Sequence, residues 1–398
     1  MARLVFLGCM AYLVVGLGQL VVGAVMEPMV NAYGVHYGDG GQLVMHQFLG
    51  GLLGVLMAPW LIRKIGKKGM LLTALGLMVI IEFVYTLQPA WGIMLTVAPL
   101  VGMGFGMTEA TVGAFIIGSA GKNANVAMSR VEVSFGAGAL IMPFVGAMFI
   151  KVGDWVAAFA FVGVLSVITL LLWVLFWPKI LDTPAEEIAG SAGEVKASTM
   201  RRSRMVLILG SCAIFFMIYV GFEMSFVHYL PSLLVQDYAL SDSTAALSLS
   251  VFWGAMVIGR MVSGHAADRW GSKTYMLVTC VSAALLFAVM AGVSNVTGTF
   301  VLTFLAGLAM SGMFAVALVF ANRAVPGMTE KTTSLLLAFG LIGGAIMPKL
   351  TGWFLDEYGV DATKWLLAGF GILMLAVIVW VMSVSRSKSA KAGQGLAA

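Results

Sequence analysis

Long apolar runs, one after another, limit this chain more than any other feature. Broken at charge clusters and at Gly, Pro, Asn and Asp turns, the sequence divides into twelve such segments: about 4–30, 41–62, 69–88, 92–118, 128–151, 155–177, 205–235, 243–267, 274–293, 297–323, 332–355 and 362–384. Crossing the hydrocarbon core of a bilayer takes about 20 apolar residues as a helix. Lipid offers the backbone no hydrogen-bond partner, so a spanning segment is a helix or a strand of a closed barrel. The short alternating segments of a barrel are absent here. Of 398 residues, 61% are hydrophobic and 10% charged, against about 25% charged in soluble domains. Too little polar surface remains to cover a globule. The expectation is an all-α membrane protein with twelve transmembrane helices. The first run is too long for a signal-peptide core and lacks Ala-x-Ala cleavage chemistry, so it is expected to stay in the mature chain.

Lys and Arg placement predicts the orientation. With both termini inside, 19 of these residues fall on cytoplasmic loops and ends, and only Lys151, Lys349 and Lys364 fall outside. Arg260 lies within a span and is left out of that comparison. The net charge of +5 is thus an inner-leaflet signature. No basic stripe with interleaved aromatics points to nucleic acid. Cys9, Cys212 and Cys280 fall in three separate spans without metal-ligand spacing, and read as small buried hydrophobes.

The most polar long stretch, 178–204, separates six spans from six. A shift of 205 residues aligns the halves: Gly54 with Gly259, Gly66 with Gly271, Lys68 with Lys273, Gly102 with Gly307, and Ile141-Met142-Pro143 with Ile346-Met347-Pro348. The chain therefore reads as two parallel six-helix pseudo-repeats, at 1–177 and 205–384, joined by a cytoplasmic linker and followed by a cytoplasmic tail from 385. This is the organisation of the major facilitator fold, whose path runs between the halves near the midplane. The loop GHAADRWGSK (264–273) resembles that superfamily's G-x-x-x-D-R-x-G-x-K signature. Asp268 and Arg269 are read as a cytoplasmic latch, since an acid at a helix end can pair with basic groups and a neighbouring helix N-terminus.

The repeat also acts as an internal control on charge. Glu109 aligns with Phe314, Arg130 with Leu335 and Glu132 with Leu337, so the shared fold does not require these charges. Ionisable groups in mid-membrane are expensive and usually line a pathway. Glu109 sits well inside span 4 and is read as the proton carrier, because a desolvated carboxyl can change protonation state near physiological pH. Arg130 and Glu132 open span 5. Arg130 could pair with Glu109, and Glu132 faces roughly the opposite side of the helix. Glu223 in span 7 is read as facing the cavity. His228 could titrate near neutral pH or cap the outer end of span 7. Arg260 in span 8 needs a partner and is assigned to gating with Asp268. Trp253 could stack on a sugar or pack between helices. Glu27 is expected at the outer interface, and Glu82 is expected to be peripheral, facing lipid.

The stretches GMTEATVGAFI, YVGFE and FWGAMVIGR resemble the fucose permease branch of the major facilitators. MHQFLGGLLGVLMAP, SRVEVSFGAGAL and FVHYLPSL are closer still to the bacterial glucose/mannose:proton symporters. The resemblance covers essentially the whole chain. It implies alternating access, proton coupling and a hexose-type substrate, with the family's span-4 and span-7 glutamates falling on Glu109 and Glu223. The fucose permease's span-1 acid has no match; Gln19 is the nearest polar residue. Arg130 occupies the neighbourhood of that family's sugar-contacting Gln, and a cation there suits an anionic substrate or a proton-regulated pair better than a neutral sugar.

The function expected is thus a proton-coupled secondary transporter, monomeric, in the inner membrane, and needing no cofactor beyond the proton gradient. Glu109, Glu132 and Glu223 are its candidate proton-coupling residues, and Gln19, Arg130, Glu223, His228 and Trp253 its candidate solute contacts. Asp268, Arg269 and Arg260 are assigned to gating. The rival is a proton-coupled drug exporter, which the 28 methionines and many aromatics would also suit; a lipid flippase stands behind it. No catalytic constellation argues for an enzyme.

Overall fold

The computed structural model describes residues 1–120, 124–181, 202–324 and 329–386. The linker residues 182–201 and the tail residues 387–398, which carry most of the two predicted cytoplasmic segments, lie outside the described residues. The described chain is helical, with no strand among its elements. In order these are α1 (Ala2–Ala24), α2 (Met26–Tyr33), α3 (Tyr37–Thr86), α4 (Trp91–Ala120), α5 (Ala124–Val152) and α6 (Ala157–Leu175). After a 3₁₀ turn at Lys179–Leu181 come α7 (Arg202–Tyr238), α8 (Asp242–Trp270), α9 (Ser272–Gly292), α10 (Val296–Met310), α11 (Met313–Ala324) and α12 (Thr329–Arg386).

Ten stretches are long and apolar enough to cross a membrane, and two of them run to 50 and 51 residues. At about 1.5 Å per residue each of those two is roughly 75 Å long, more than twice the hydrocarbon thickness. Each therefore crosses twice, turning at Gly66 (φ 76°) in α3 and at Gly359 (φ 77°) in α12. A backbone at positive φ is cheap only for glycine. Twelve crossings result, with two differences from the sequence reading. The first span breaks at Val25, and α2 tolerates Pro28 because it falls in the first turn. The tenth splits into α10 and α11 at Ser311-Gly312, where a Cβ on Gly312 would lie 2.1 Å from the Tyr275 hydroxyl.

The 205-residue spacing reappears in the helix contacts. A Cβ on Gly102 would meet the Gln47 carbonyl oxygen at 1.8 Å, and one on Gly307 would meet that of Phe252 at 2.5 Å. A Cβ on Gly54 would lie 2.6 Å from the Met103 carbonyl oxygen, and one on Gly259 would lie 3.2 Å from that of Leu308. Each second pair is the first pair moved on by 205. In lipid there is no hydrophobic drive between helices, so close backbone approach at small residues is what holds them. Gly66 and Gly271 share the offset too, and both stand at positive φ.

Between the halves, contact is concentrated at the end poorer in Lys and Arg. There the start of α3 inserts against α7 and α12. The Tyr229 hydroxyl donates to the Tyr37 carbonyl (2.9 Å), Lys349 donates to the Gly38 carbonyl (2.7 Å), and the Tyr37 N–H donates to Asp356 Oδ1 (2.9 Å). The Gly38 N–H also donates to Asp356, so one carboxylate caps a helix N-terminus of the other half. Midway, the Ser250 hydroxyl donates to the Leu140 carbonyl (3.2 Å), joining α8 to α5. Further along α5, Glu132 and Arg130 are exposed. Hydrogen bonds to a charged group contribute about 1.5–3 kcal/mol. Asp356→Ala is therefore expected to open the closed end, raising labelling of a cysteine at buried Ser232 by an impermeant maleimide roughly tenfold. The three native cysteines are removed first. Unchanged labelling would show that the cap does not hold this end shut.

Candidate functional site

Glu109 stands on α4, turned into the first half rather than into lipid. Gln19 of α1 donates its Nε2–H to Glu109 Oε1 at 3.1 Å. The Tyr12 hydroxyl, two turns earlier on α1, donates to the Glu109 backbone carbonyl at 3.1 Å. These bonds hold the acid at the edge of a cavity lined by Gln19, Gln47, Phe105 and Glu109 of the first half, with Leu341 of α12 reaching in from the second. The sequence offered Gln19 as the nearest polar residue of span 1 and as a candidate solute contact. Its place against Glu109 makes it the acid's direct partner.

Across the gap is a second group. Glu132 of α5 lies within electrostatic reach of Glu109 and Tyr12 on its own half and of Arg260 on the other. Arg260 of α8 is in turn within reach of Glu223 and Tyr219 on α7. Its guanidinium stands 5.9 Å from the Trp253 ring centroid, a cation–π contact, and Trp253 meets Phe135 of α5 edge-on at 6.4 Å. Among the described residues Arg260 closes no ion pair within 4 Å; those of that length join Lys364 to Asp237 and Asp361. One arginine thus faces two acids drawn from both halves without being bound to either.

Several expectations change with the geometry. Arg130 does not pair with Glu109. It is exposed, and two residues along a helix turn a side chain about 200°, so with Glu132 on the side within reach of Glu109 Arg130 is turned away. Arg260 keeps company with Glu132 and Glu223, and the Asp268 side chain proposed as its latch partner lies outside the described residues. Arg269 is exposed beside it. His228 does not cap a helix end, because α7 runs on past Pro231 to Tyr238. It is fully buried against Gly23 of α1, and both ring nitrogens lack a partner among the described residues. Trp253 is likewise buried, among Phe135 and Phe252, with its Nε1–H unpaired. Glu223 is 5% exposed, as expected of an acid turned inward.

Two acids set aside from the sequence are also buried. Glu27 is 6% exposed, accepting from the Tyr37 hydroxyl at 2.7 Å and from Asn31 at 3.3 Å. Glu82 is 0% exposed and packs toward α1 and α6, not lipid. Sequence reasoning missed Tyr12 and Gln47 altogether. Their signal was present as polar groups inside apolar spans, but tyrosine and glutamine are cheap enough there to pass unremarked.

Comparison with known proteins agrees with this architecture. The family model described as Major Facilitator Superfamily matches residues 8–301 and 229–397. The glucose/mannose transporter GlcP of Bacillus subtilis is 28% identical over 375 residues, covering 92% of each chain. A glucose/galactose transporter of Brucella abortus is 31% identical over 158 residues, 39% of this chain and 37% of that one. Among solved structures, a D-xylose-proton symporter superposes with a TM-score of 0.78 at 14% identity, covering 94% of this chain and 96% of the other. The nucleoside transporter NupG gives 0.72 at 14% identity, covering 97% and 98%. Those two likenesses speak for the fold alone. A family match spanning nearly the whole sequence, twelve crossings and a charged cavity between two halves place the chain in the Major Facilitator Superfamily.

Proposed function

We propose that this protein is a proton-coupled sugar transporter that works by alternating access, with Glu109 as its coupling acid. The observation that carries the reading is the Gln19–Glu109 pair at the edge of a cavity reached by both halves. A carboxyl there, held by a neutral amide, is free to gain and lose a proton without breaking an ion pair. Glu132, Arg260 and Glu223 then form the charge set that senses that change across the interface. Coupling requires only that proton and solute favour the same rearrangement of the halves. The buried but unpaired donors of His228 and Trp253 suit a polyhydroxylated solute, whose oxygens can accept from them.

A hexose is the substrate class because the relatives covering most or part of this chain are described as glucose/mannose and glucose/galactose transporters. The protein is taken to work as a monomer in the inner membrane with both termini cytoplasmic. It requires no cofactor beyond the proton gradient, and it moves its solute chemically unchanged. The test is the direction of proton movement. Adding glucose or mannose to cells or right-side-out vesicles holding the protein is expected to alkalinise the outside medium. No alkalinisation with any hexose, together with proton release when a cationic drug is supplied, would replace this reading with the drug exporter.

A further inference from the structure

Of the two buried acids of the first half that the scheme above leaves idle, Glu27 is hydrogen-bonded and Glu82 is not. Glu82, on the second limb of α3, is 0% exposed, and neither carboxylate oxygen has a hydrogen-bond partner among the described residues. The Tyr85 hydroxyl, one turn on, and the Gln47 side chain, on the first limb of α3, are also buried and lie within reach of each other, though Tyr85 Oη and Gln47 Nε2 close no hydrogen bond of good geometry. No cation faces the group. α1 presents Gly18 and Gln19, α6 presents Gly163 from a helix without a charged residue, and α4 presents Phe105 with Glu109 a turn further on. Tyr85 on its own helix and Glu109 on α4 are the titratable groups nearest this face; α1 adds Tyr12, two turns before Gln19, while Arg3 and Cys9 lie further toward its start. An isolated ionised carboxylate is costly in such surroundings unless it is neutralised or finds a partner.

The repeat shows that the fold does not call for this arrangement. Moved on by 205, Gln47, Glu82 and Tyr85 become Phe252, Phe287 and Met290. In the second half these positions form apolar packing, with Phe226 meeting Phe287 at 4.7 Å and Phe252 at 5.4 Å. The same architectural position is therefore closed with aromatics in one half and occupied by an acid, an amide and a phenol in the other.

The Phe105 ring borders both Glu82 and the Glu109 cavity. A Cβ on Gly18 would lie 2.7 Å from the Phe105 ring and 3.4 Å from Glu82 Oε1, so ring and carboxyl share one wall. Phe105 and Gln47 also line the cavity that holds Gln19 and Glu109. Phe105 is thus the side chain that a proton passing between the two acids would have to get by, with Gln47 lining the cavity on the same side.

We propose that Glu82, with Gln47 and Tyr85, is a second proton-binding site of the transporter, filled from and emptied into the Glu109 cavity past Phe105. This rests on the proton-coupled reading above. Glu82 gains a proton from the cavity while it is open at one end and returns it when the cavity opens at the other. Each cycle then carries one proton more than Glu109 alone would carry.

The test is the coupling ratio in proteoliposomes, with the membrane potential clamped at zero and a pH difference of one unit imposed. Each coupled proton multiplies the sugar gradient at balance by about tenfold. Wild type is then expected to reach about 100-fold accumulation and Glu82→Gln about 10-fold, with sugar exchange preserved. Equal accumulation by the two proteins would overturn the second site and leave the coupled transporter standing. A wild type that builds no gradient would sink both. Infrared difference spectra supply a readout that does not depend on transport. A carboxylic-acid band absent from Glu82→Gln should change in wild type when sugar is added or pH is raised. A band that stays constant would mark Glu82 as permanently protonated and refute the proposal.

Discussion

Glu109→Gln is expected to abolish sugar accumulation against a gradient while leaving sugar exchange across the membrane within a few-fold of wild type. Glutamine keeps the size of the side chain and an oxygen for the Gln19 Nε2–H that now binds Glu109 Oε1. What it removes is the ability to take up and release a proton. A transporter whose coupling acid is fixed in the neutral form still rearranges around its solute but has lost the link to the proton gradient. The measurement compares radiolabelled sugar uptake driven by an imposed pH difference with counterflow in the same vesicles. Accumulation that survives in the variant would remove Glu109 from the coupling role. Gln19→Ala is the milder companion: it leaves the carboxyl without its hydrogen bond and should weaken accumulation rather than end it.

Arg260→Ala is expected to slow transport about 100-fold, the equivalent of roughly 2.7 kcal/mol. Arg260 is the cation within reach of both Glu132 and Glu223, which come from different halves. Removing Arg260 leaves the buried Glu223 without its compensating cation, a larger loss than the pair's own net contribution. The same reasoning makes the defect partly reversible. Combining Arg260→Ala with Glu223→Gln should recover a substantial part of the lost rate, because the acid left without compensation is neutralised. Arg260→Lys should fall between, keeping charge but losing the planar group that lies over Trp253. Initial uptake rates for the three variants, at matched surface expression, decide the matter. A rate for Arg260→Ala within twofold of wild type would mean that the acids find their balance elsewhere.

These two residues show how differently the site could be read in advance. Glu109 was legible because its cost is local: a carboxyl in the middle of an apolar helix is anomalous whatever surrounds it. The 205-residue repeat strengthened the case by offering Phe314 in its place. Arg260 was also visible as an intramembrane charge, yet its nearest acid in sequence, Asp268, suggested a latch. Its neighbours in space, Glu132 and Glu223, come from α5 and α7, 128 and 37 positions away, and no local pattern connects them. Arg130 misled for the opposite reason. Adjacency across the α4–α5 turn suggested a partner for Glu109, whereas the phase of α5 gave that side of the helix to Glu132.

Glu82 was set aside for a reason of the same kind. Hydropathy says that a helix lies among apolar groups, but lipid tails and protein interior are equally apolar, so it cannot say which of the two a given face meets. Only packing separates them. Gly18 and Gly163 bring α1 and α6 close enough to enclose the carboxyl.

Length, apolar runs and the internal repeat were enough to specify an all-helical membrane protein of twelve crossings in two related halves. Those properties follow from one-dimensional constraints: the thickness of a bilayer, the need of every backbone group in lipid for an internal partner, and spacing along the chain. Which charges meet, which face the cavity and which end of the molecule is shut depend on helix rotation and on contacts such as Tyr37 with Tyr229 and Asp356. Those are pairings between residues about 190 and 320 positions apart, set by how small side chains let helices approach each other, and they exist only once the two halves have packed.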